Sequence, residues 1–356
     1  MQPVRASRTF RRTAIKAILI FTLVGACAGT ASPSRDLRPA TSPADSAPPP
    51  SAVAPATAPA ASVQFTWPDG SEPAVTRSLT GIDEAYINPG AVIDNDGELH
   101  MFANVFTDWP GHVQVSHLVS SDGVTWSAAA EEPALTSDDV PFAEPGADVS
   151  TGFVAEDGTW VLIFETVNFG RPWALGMATA PGPEGPWTVE PEPILAGTDG
   201  SYDAGGLAWP SVVETDDGYA MYYSTFTVPR QTVIARATSA DGRTWTKDAA
   251  PVLEPEARWE GRALDRPRVV ATEDGLVMVY SGADLTTRGV AFSDDGVAWR
   301  RDGDAPAITD DEFPVDGKAW DAALIQRDGQ LTYFLELGAA TESVGTEIYR
   351  ATAALP

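Results

Sequence analysis

The stretch 210–223, PSVVETDDGYAMYY, sets two apolar runs rich in β-branched and aromatic residues on either side of Asp217-Gly218. An Asp-Gly pair readily takes the left-handed backbone that a tight antiparallel turn needs, so the stretch predicts a β-hairpin. The same arrangement recurs at Asp96-Gly97, Asp157-Gly158, Asp274-Gly275 and Asp328-Gly329, at intervals of roughly 55 to 60 residues. A second motif keeps the same phase: SSDGVTW ends at Trp126, SADGRTW at Trp245, SDDGVAW at Trp299 and the degenerate PGPEGPW at Trp187. These predict the turn between the third and fourth strands of each unit, with Trp packed over it. Tryptophans at one repeat position point to a structural duty, so an excess of Trp is no argument for sugar binding. Each unit then reads as inner strand, Asp-Gly hairpin, second strand, third strand, Trp turn and outer strand. Such sheets bury their faces against neighbouring copies, and five of them predict an all-β, five-bladed β-propeller with four-stranded blades over residues 63–356. The fifth unit has no Trp turn after its strand near 346–352. The alternating segment Val63-Gln64-Phe65-Thr66-Trp67 is predicted to supply the missing outer strand and close the ring.

The first 62 residues differ in kind. Residues 1–26 carry Arg5, Arg8, Arg11, Arg12 and Lys16 without an acid, followed by the apolar run Ala17 to Ala26, the pattern of an export signal. A run of about ten residues is too short to span a bilayer as a helix. The run ends in Val24-Gly25-Ala26-Cys27, which resembles the lipobox of bacterial lipoproteins. That resemblance implies removal of residues 1–26, lipidation of Cys27 and anchoring at the extracytoplasmic face of the cell membrane. Ordinary cleavage after Ala26-Cys27-Ala28, which has the small-x-small form, is the alternative. Residues 27–62 are dominated by Ala, Pro, Ser and Thr, too little apolar surface to order themselves, and read as a tether. The formal net charge of −27 repels phosphate backbones and sets nucleic-acid binding aside. With one cysteine there is no disulfide framework, and a monomer is expected.

The pattern of Pro-x-Val, Asp-Gly and a Met-x-Tyr-type second strand in Pro210–Ser224 resembles the five-bladed glycosidase superfamily of arabinanases, β-xylosidases, invertase-like fructosidases and mannoside phosphorylases. The resemblance covers nearly all of residues 63–356 and implies a sugar bound where the inner strands begin. In the arabinanase and xylosidase branch it implies an Asp before Pro in blade one as base, an Asp in blade two that orients, and a Glu in blade three as acid. Here the first slot is Asn88-Pro89, the second matches Asp148, and the third reads Ala208-Trp209-Pro210 without a Glu.

Acids recur in two registers on the same side of the repeats. Asp148, Asp265 and Asp321 lie close to the starts of inner strands, while Asp83, Glu144, Asp203, Glu260 and Asp316 lie a few residues earlier, one per blade. The complete register suggests loop capping, and the incomplete one suggests a site. Glycoside cleavage needs one protonated and one ionised carboxyl, and crowded acids raise one another's pKa. The candidates are Asp203 as acid, Asp83 or Glu84 as base, and Asp148 to orient the sugar, with Asn88, Asp265 and Asp321 as substrate-binding neighbours. Arg266 is expected either to pair with Asp265 or to hold a substrate group. Trp209 and Trp320 occupy equivalent positions and are candidates for stacking on a sugar ring or for core packing. His100, His112 and His117 fall within one blade with no Cys and no His-Glu-x-x-His, which predicts no zinc site. Calcium on channel carboxylates is chemically compatible, and no cofactor is expected. The reading is a lipid-anchored glycosidase-like protein, with a carbohydrate-binding propeller that has lost its catalysis as the alternative. Phosphorolysis, using Arg262, Arg266 and Arg268 for phosphate, is a third reading, disfavoured by export.

Overall fold

The computed structural model describes residues 62–82, 85–168, 170–227, 231–338 and 345–355. The signal-like segment, Cys27, most of the Ala/Pro-rich stretch, Asp83 and Glu84 lie outside them. Five antiparallel sheets follow one another along the chain. Blade one contains β1 (Tyr86–Asn95), β2 (Glu98–Phe106), β3 (Gln114–Ser120) and β4 (Ser127–Ala128), with β5 (Leu135–Thr136) added on β3. Blade two contains β6 (Pro145–Val154), β7 (Trp160–Asn168), β8 (Ala174–Ala180) and β9 (Thr188–Val189), with β10 (Leu195–Ala196) on β8. Blade three contains β11 (Leu207–Thr215), β12 (Gly218–Thr227), β13 (Gln231–Ser239) and β14 (Thr246–Lys247). Blade four contains β15 (Asp265–Thr272), β16 (Gly275–Ser281), β17 (Arg288–Ser293) and β18 (Arg300–Arg301), and blade five β19 (Lys318–Arg327), β20 (Gln330–Gly338) and β21 (Thr346–Ala354). The inner strands touch in a closed cycle: β1 with β6, β6 with β11, β11 with β15, β15 with β19 and β19 with β1. This is the five-bladed β-propeller expected from the repeat. The outer strands, of two residues each, are shorter than the repeat suggested.

The core is divided among the seams between blades. Separate apolar clusters join blades one and two, two and three, three and four, four and five, and five and one. The Trp-turn residues seal them. Trp126 meets Phe334 of blade five edge-on, Trp187 meets Phe102 of blade one and Trp299 meets Tyr222 of blade three. Within those turns Asp122, Asp241 and Asp295 each accept two backbone N–H groups two and three residues on. The Asp-Gly of the Trp turn therefore repeats one local geometry in every blade that carries it. At the inner hairpins, Asp96 and Asp328 sit at φ 52° ahead of left-handed Gly97 and Gly329, as the turn chemistry requires.

The ring closes where the N-terminal segment meets blade five. Thr66 and Thr352 exchange two 2.8 Å backbone hydrogen bonds, Val75 and Ile348 form a second antiparallel bridge, and Val63 and Phe65 are buried in the seam between blades four and five. Closure is thus by isolated bridges on β21, not by a continuous strand. Asp302, in the turn after β18, accepts from the Val63 N–H and the Ser62 hydroxyl.

All five inner strands break register near their starts: between Asn88 and Ala91, Val149 and Thr151, Ala208 and Ser211, Asp265 and Arg268, and Ala319 and Ala322. These bulges turn the intervening residues toward one rim. Toward the hairpins, the axis opens into a cavity of about 410 Å³ lined by every inner strand, among them Val92, Ser150, Val212, Val270 and Leu324.

Candidate functional site at the propeller mouth

The bulges gather one set of residues at the rim opposite the hairpins. Trp209 and Arg266 occupy equivalent bulge positions, and both hold left-handed backbone, φ 52° and 53°, where a residue with a Cβ is strained by about 1 kcal/mol. In blade one the left-handed residue is Gly90, one position further on, at φ 51°, where a Cβ would lie 2.1 Å from the Phe102 carbonyl oxygen. The two strained residues stack on each other, with the Arg266 guanidinium 4.0 Å from the Trp209 ring centre. Trp173 and Phe226 pack edge-on against Trp209, completing an aromatic wall. Left-handed backbone at two stacked side chains motivates a functional reading of this rim.

Beside that wall lies a cluster of buried acids. Asp148 on β6 stands directly opposite Glu165 on β7, and like groups in such a cross-strand pair sit within about 5 Å at Cβ. Burial raises the pKa of both. Glu165, Asp321 and Glu336 raise Asp148 further, and Asp321 raises Glu165. Ser150 Oγ donates to Glu165 Oε2 at 2.5 Å, while Glu165 Oε1 and Asp148 Oδ1 have no protein partner. Glu336 on β20 accepts from the Asp321 N–H and the Thr346 hydroxyl, and burial together with Asp321 pushes it up to about 8. Asp265 is pushed up to about 6 by burial, against the pull of Arg266 and Arg288. Its Oδ1 is also unpartnered.

Asp321 ties the acids to the cations. Its Oδ1 accepts from Arg268 Nη2 at 2.7 Å and lies 3.9 Å from Arg266 Nε, which has no hydrogen-bond partner. Arg268 spreads its other donors over the carbonyls of Ala322, Pro267 and Trp209. One buried guanidinium therefore links blades three, four and five, and it also lines the cavity on the hairpin side.

Of the residues singled out from the sequence, Asp148, Trp209, Asp265, Arg266, Trp320 and Asp321 come together here. The ladder corrects one alignment. Ala319, not Asp321, is level with Asn88 and Asp265, and Asp321 is carried two residues on by the bulge. Trp209 and Trp320 are equivalent, as expected.

Two assignments are revised. Asp203 is 1% exposed, with Oδ1 accepting from the Thr198 N–H and Oδ2 bound 2.5 Å from Lys247 Nζ at the outer edge of blade three. A carboxylate held by an ammonium away from the mouth does not serve as a general acid. Glu260 plays the same part in blade four: burial works to raise its pKa, but Arg301, Tyr280 and two backbone N–H groups reverse that and hold it low. Glu144 and Asp316 of the same register are exposed, so the complete register is not one device. Asn88 is not free to bind a sugar through its carbonyl, which accepts from Asn104 Nδ2 and the Gly90 N–H. Asn104 in turn bonds both backbone groups of Val149, stitching blade one to blade two.

Glu165 and Glu336 were not anticipated. A Glu inside an apolar run, as in WVLIFETV and LTYFLELG, was the available signal, because glutamate is almost never fully buried without a purpose. His100 and His117 share a 3.0 Å hydrogen bond in the seam between blades one and two, and burial pushes His117 down to about 4. Among the described residues no group of three or more His, Cys, Asp or Glu is arranged to hold a metal ion.

The five-bladed fold is shared with solved glycoside hydrolases. The complex of BT0996 with RGII superposes with a TM-score of 0.64 at 18% identity, covering 81% of this chain and 92% of that one. A thermostable family-43 glycoside hydrolase superposes with a TM-score of 0.60 at 15% identity, covering 78% and 91%. At such identities the likeness is one of fold. In sequence, 139 residues are 29% identical to a β-xylosidase of Xylanibacter ruminicola, a match covering 36% of this chain and 41% of that enzyme. No family model matches the chain.

Proposed function

We propose that this protein is a glycoside hydrolase that cleaves a glycan or oligosaccharide at the mouth of the propeller. The observation that carries the proposal is the Asp148–Glu165 pair: facing carboxyls, both raised in pKa, each with an unpartnered oxygen. Two interacting carboxyls titrate as a coupled pair. In this reading Asp148 protonates the leaving oxygen, and burial together with Glu165 behind it favours the protonated form of Asp148. Asp321, fixed by Arg268, is the carboxylate that activates water or attacks the sugar. Arg266 and Trp209 form the wall against which the ring rests.

The test is release of reducing sugar from arabinan, xylan, fructan, mannan and pectin. Asp148→Asn is expected to lower kcat at least a hundredfold while leaving the melting temperature within a few degrees, and Asp321→Asn to lower kcat as far while also costing stability, because it leaves buried Arg268 without its ion-pair partner. Full activity in both variants overturns the assignment. A binding-only reading is favoured by Asn88 and by Ala208-Trp209 where the arabinanase and xylosidase branch has catalytic acids. It predicts affinity without turnover.

We also infer export and lipid anchoring at Cys27, on the strength of the basic-then-apolar segment ending in Val24-Gly25-Ala26-Cys27. Cys27→Ala is expected to move the protein from the membrane fraction to the soluble one, and unchanged fractionation refutes the anchor.

A further inference from the structure

Trp109 is 49% exposed, the most exposed large apolar side chain among the described residues. Trp109 thus keeps a large apolar side chain within reach of solvent. It lies in the loop between β2 and β3, which leaves β2 at Phe106, the residue paired with Tyr86 at the start of β1. The loop therefore sits on the rim that carries the acids, opposite the hairpins.

Two glycines fix it there. A Cβ on Gly111 would meet the Asp108 carbonyl oxygen at 2.4 Å, so the turn around Trp109 is tight. A Cβ on Gly146 would meet the Gly111 carbonyl oxygen at 2.5 Å, so the loop is pressed against the start of β6, two residues before Asp148. Behind the indole, Phe106 lies 5.4 Å away centre to centre and is itself stacked on Tyr86 at 5.6 Å with an interplanar angle of 11°. Trp109 is thus a half-exposed indole tilted against the stacked Phe106–Tyr86 pair, in a loop pressed on the start of β6, the strand that carries Asp148. The Trp173–Trp209–Phe226 wall, by contrast, rises from blades two and three.

Resting on the glycosidase reading, we propose that Trp109 is a sugar-stacking platform for a second ring of the substrate, next to the one held at Asp148. The indole would take the apolar C–H face of that ring. The substrate class this selects is an oligosaccharide or polysaccharide of at least two residues, in preference to a monosaccharide glycoside.

The experiment uses the full chain with Trp109→Ala and Trp109→Phe. Calorimetric affinity for arabinan, xylan, fructan, mannan and pectin oligosaccharides is measured alongside kcat and KM on those oligosaccharides and on nitrophenyl monoglycosides. Trp109→Ala is expected to weaken oligosaccharide Kd and KM at least tenfold, with kcat within twofold and monoglycoside kinetics unchanged. Trp109→Phe should recover most of the loss. Wild-type-like oligosaccharide affinity in Trp109→Ala overturns the platform and leaves the glycosidase reading standing. An equal loss on monoglycosides also overturns it. Weakened binding in a protein without turnover upholds the platform and sinks hydrolysis alone, whereas a wild-type chain that binds none of these sugars sinks both.

Discussion

Asp203 and Asp148 show how one residue type takes opposite parts in neighbouring blades. Asp148 faces another carboxyl and retains an unpartnered oxygen, whereas Asp203 is committed to Lys247. Removing one partner of a buried ion pair typically costs about 3 kcal/mol, because the other charge is left without compensation. Lys247→Met should therefore lower stability by roughly that amount in denaturant melts while leaving kcat on any accepted substrate within twofold. A loss of turnover without a loss of stability would return Asp203 to the catalytic machinery. The sequence shows an Asp near each inner strand but not its partner. Lys247 lies far along the chain on an outer strand, and no local pattern joins it to Asp203. Asp148 was legible because its blade-two position in the repeat survives intact. Glu165 and Glu336 were hidden because they sit on second strands, whose alternation was read for apolar residues alone.

At the level of the strand and the turn, nearly everything was legible. Asp-Gly pairs mark the inner hairpins, and the Trp turns fall between third and fourth strands, because both depend on local backbone chemistry that a short motif encodes. The bulges were not legible, since an extra residue in one strand leaves no trace in composition. They shift Asp321 along β19 and press Trp209 and Arg266 into left-handed backbone. The N-terminal segment offers a test at this scale. Burial of Val63 and Phe65 is worth roughly 4 kcal/mol, and at about 2–4 °C per kcal/mol for a domain of this size, deletion of residues 62–67 should lower Tm by about 10 °C. A thermal melt unchanged by the deletion would show that the ring does not need this closure.

For the whole molecule, the buried acids make stability depend on pH. Glu336 is raised from its ordinary value of 4.5 to about 8, so folding favours its protonated form. Its contribution is complete below about pH 4.5 and is lost as pH rises through 8. The melting temperature should therefore fall between pH 6 and pH 9, and Glu336→Gln, which stays neutral, should flatten that slope. An unaltered slope in the variant would mean that another group governs it. If the protein hydrolyses glycosides as proposed, its activity should also fall on the alkaline side, because deprotonating the Asp148–Glu165 pair removes the proton that a leaving group needs.

The bridge between Thr66 and Thr352 also sets the topology of the propeller's two ends. The start and finish of the propeller lie side by side on one blade, hydrogen-bonded through their backbones. A short linker could splice them, and new termini could open at an exposed hairpin such as Asp157-Gly158 without removing a seam. The order in which the blades are written along the polypeptide is therefore separable from the shape they make. A circular permutant should keep its mouth, its axial arginine and its seams intact.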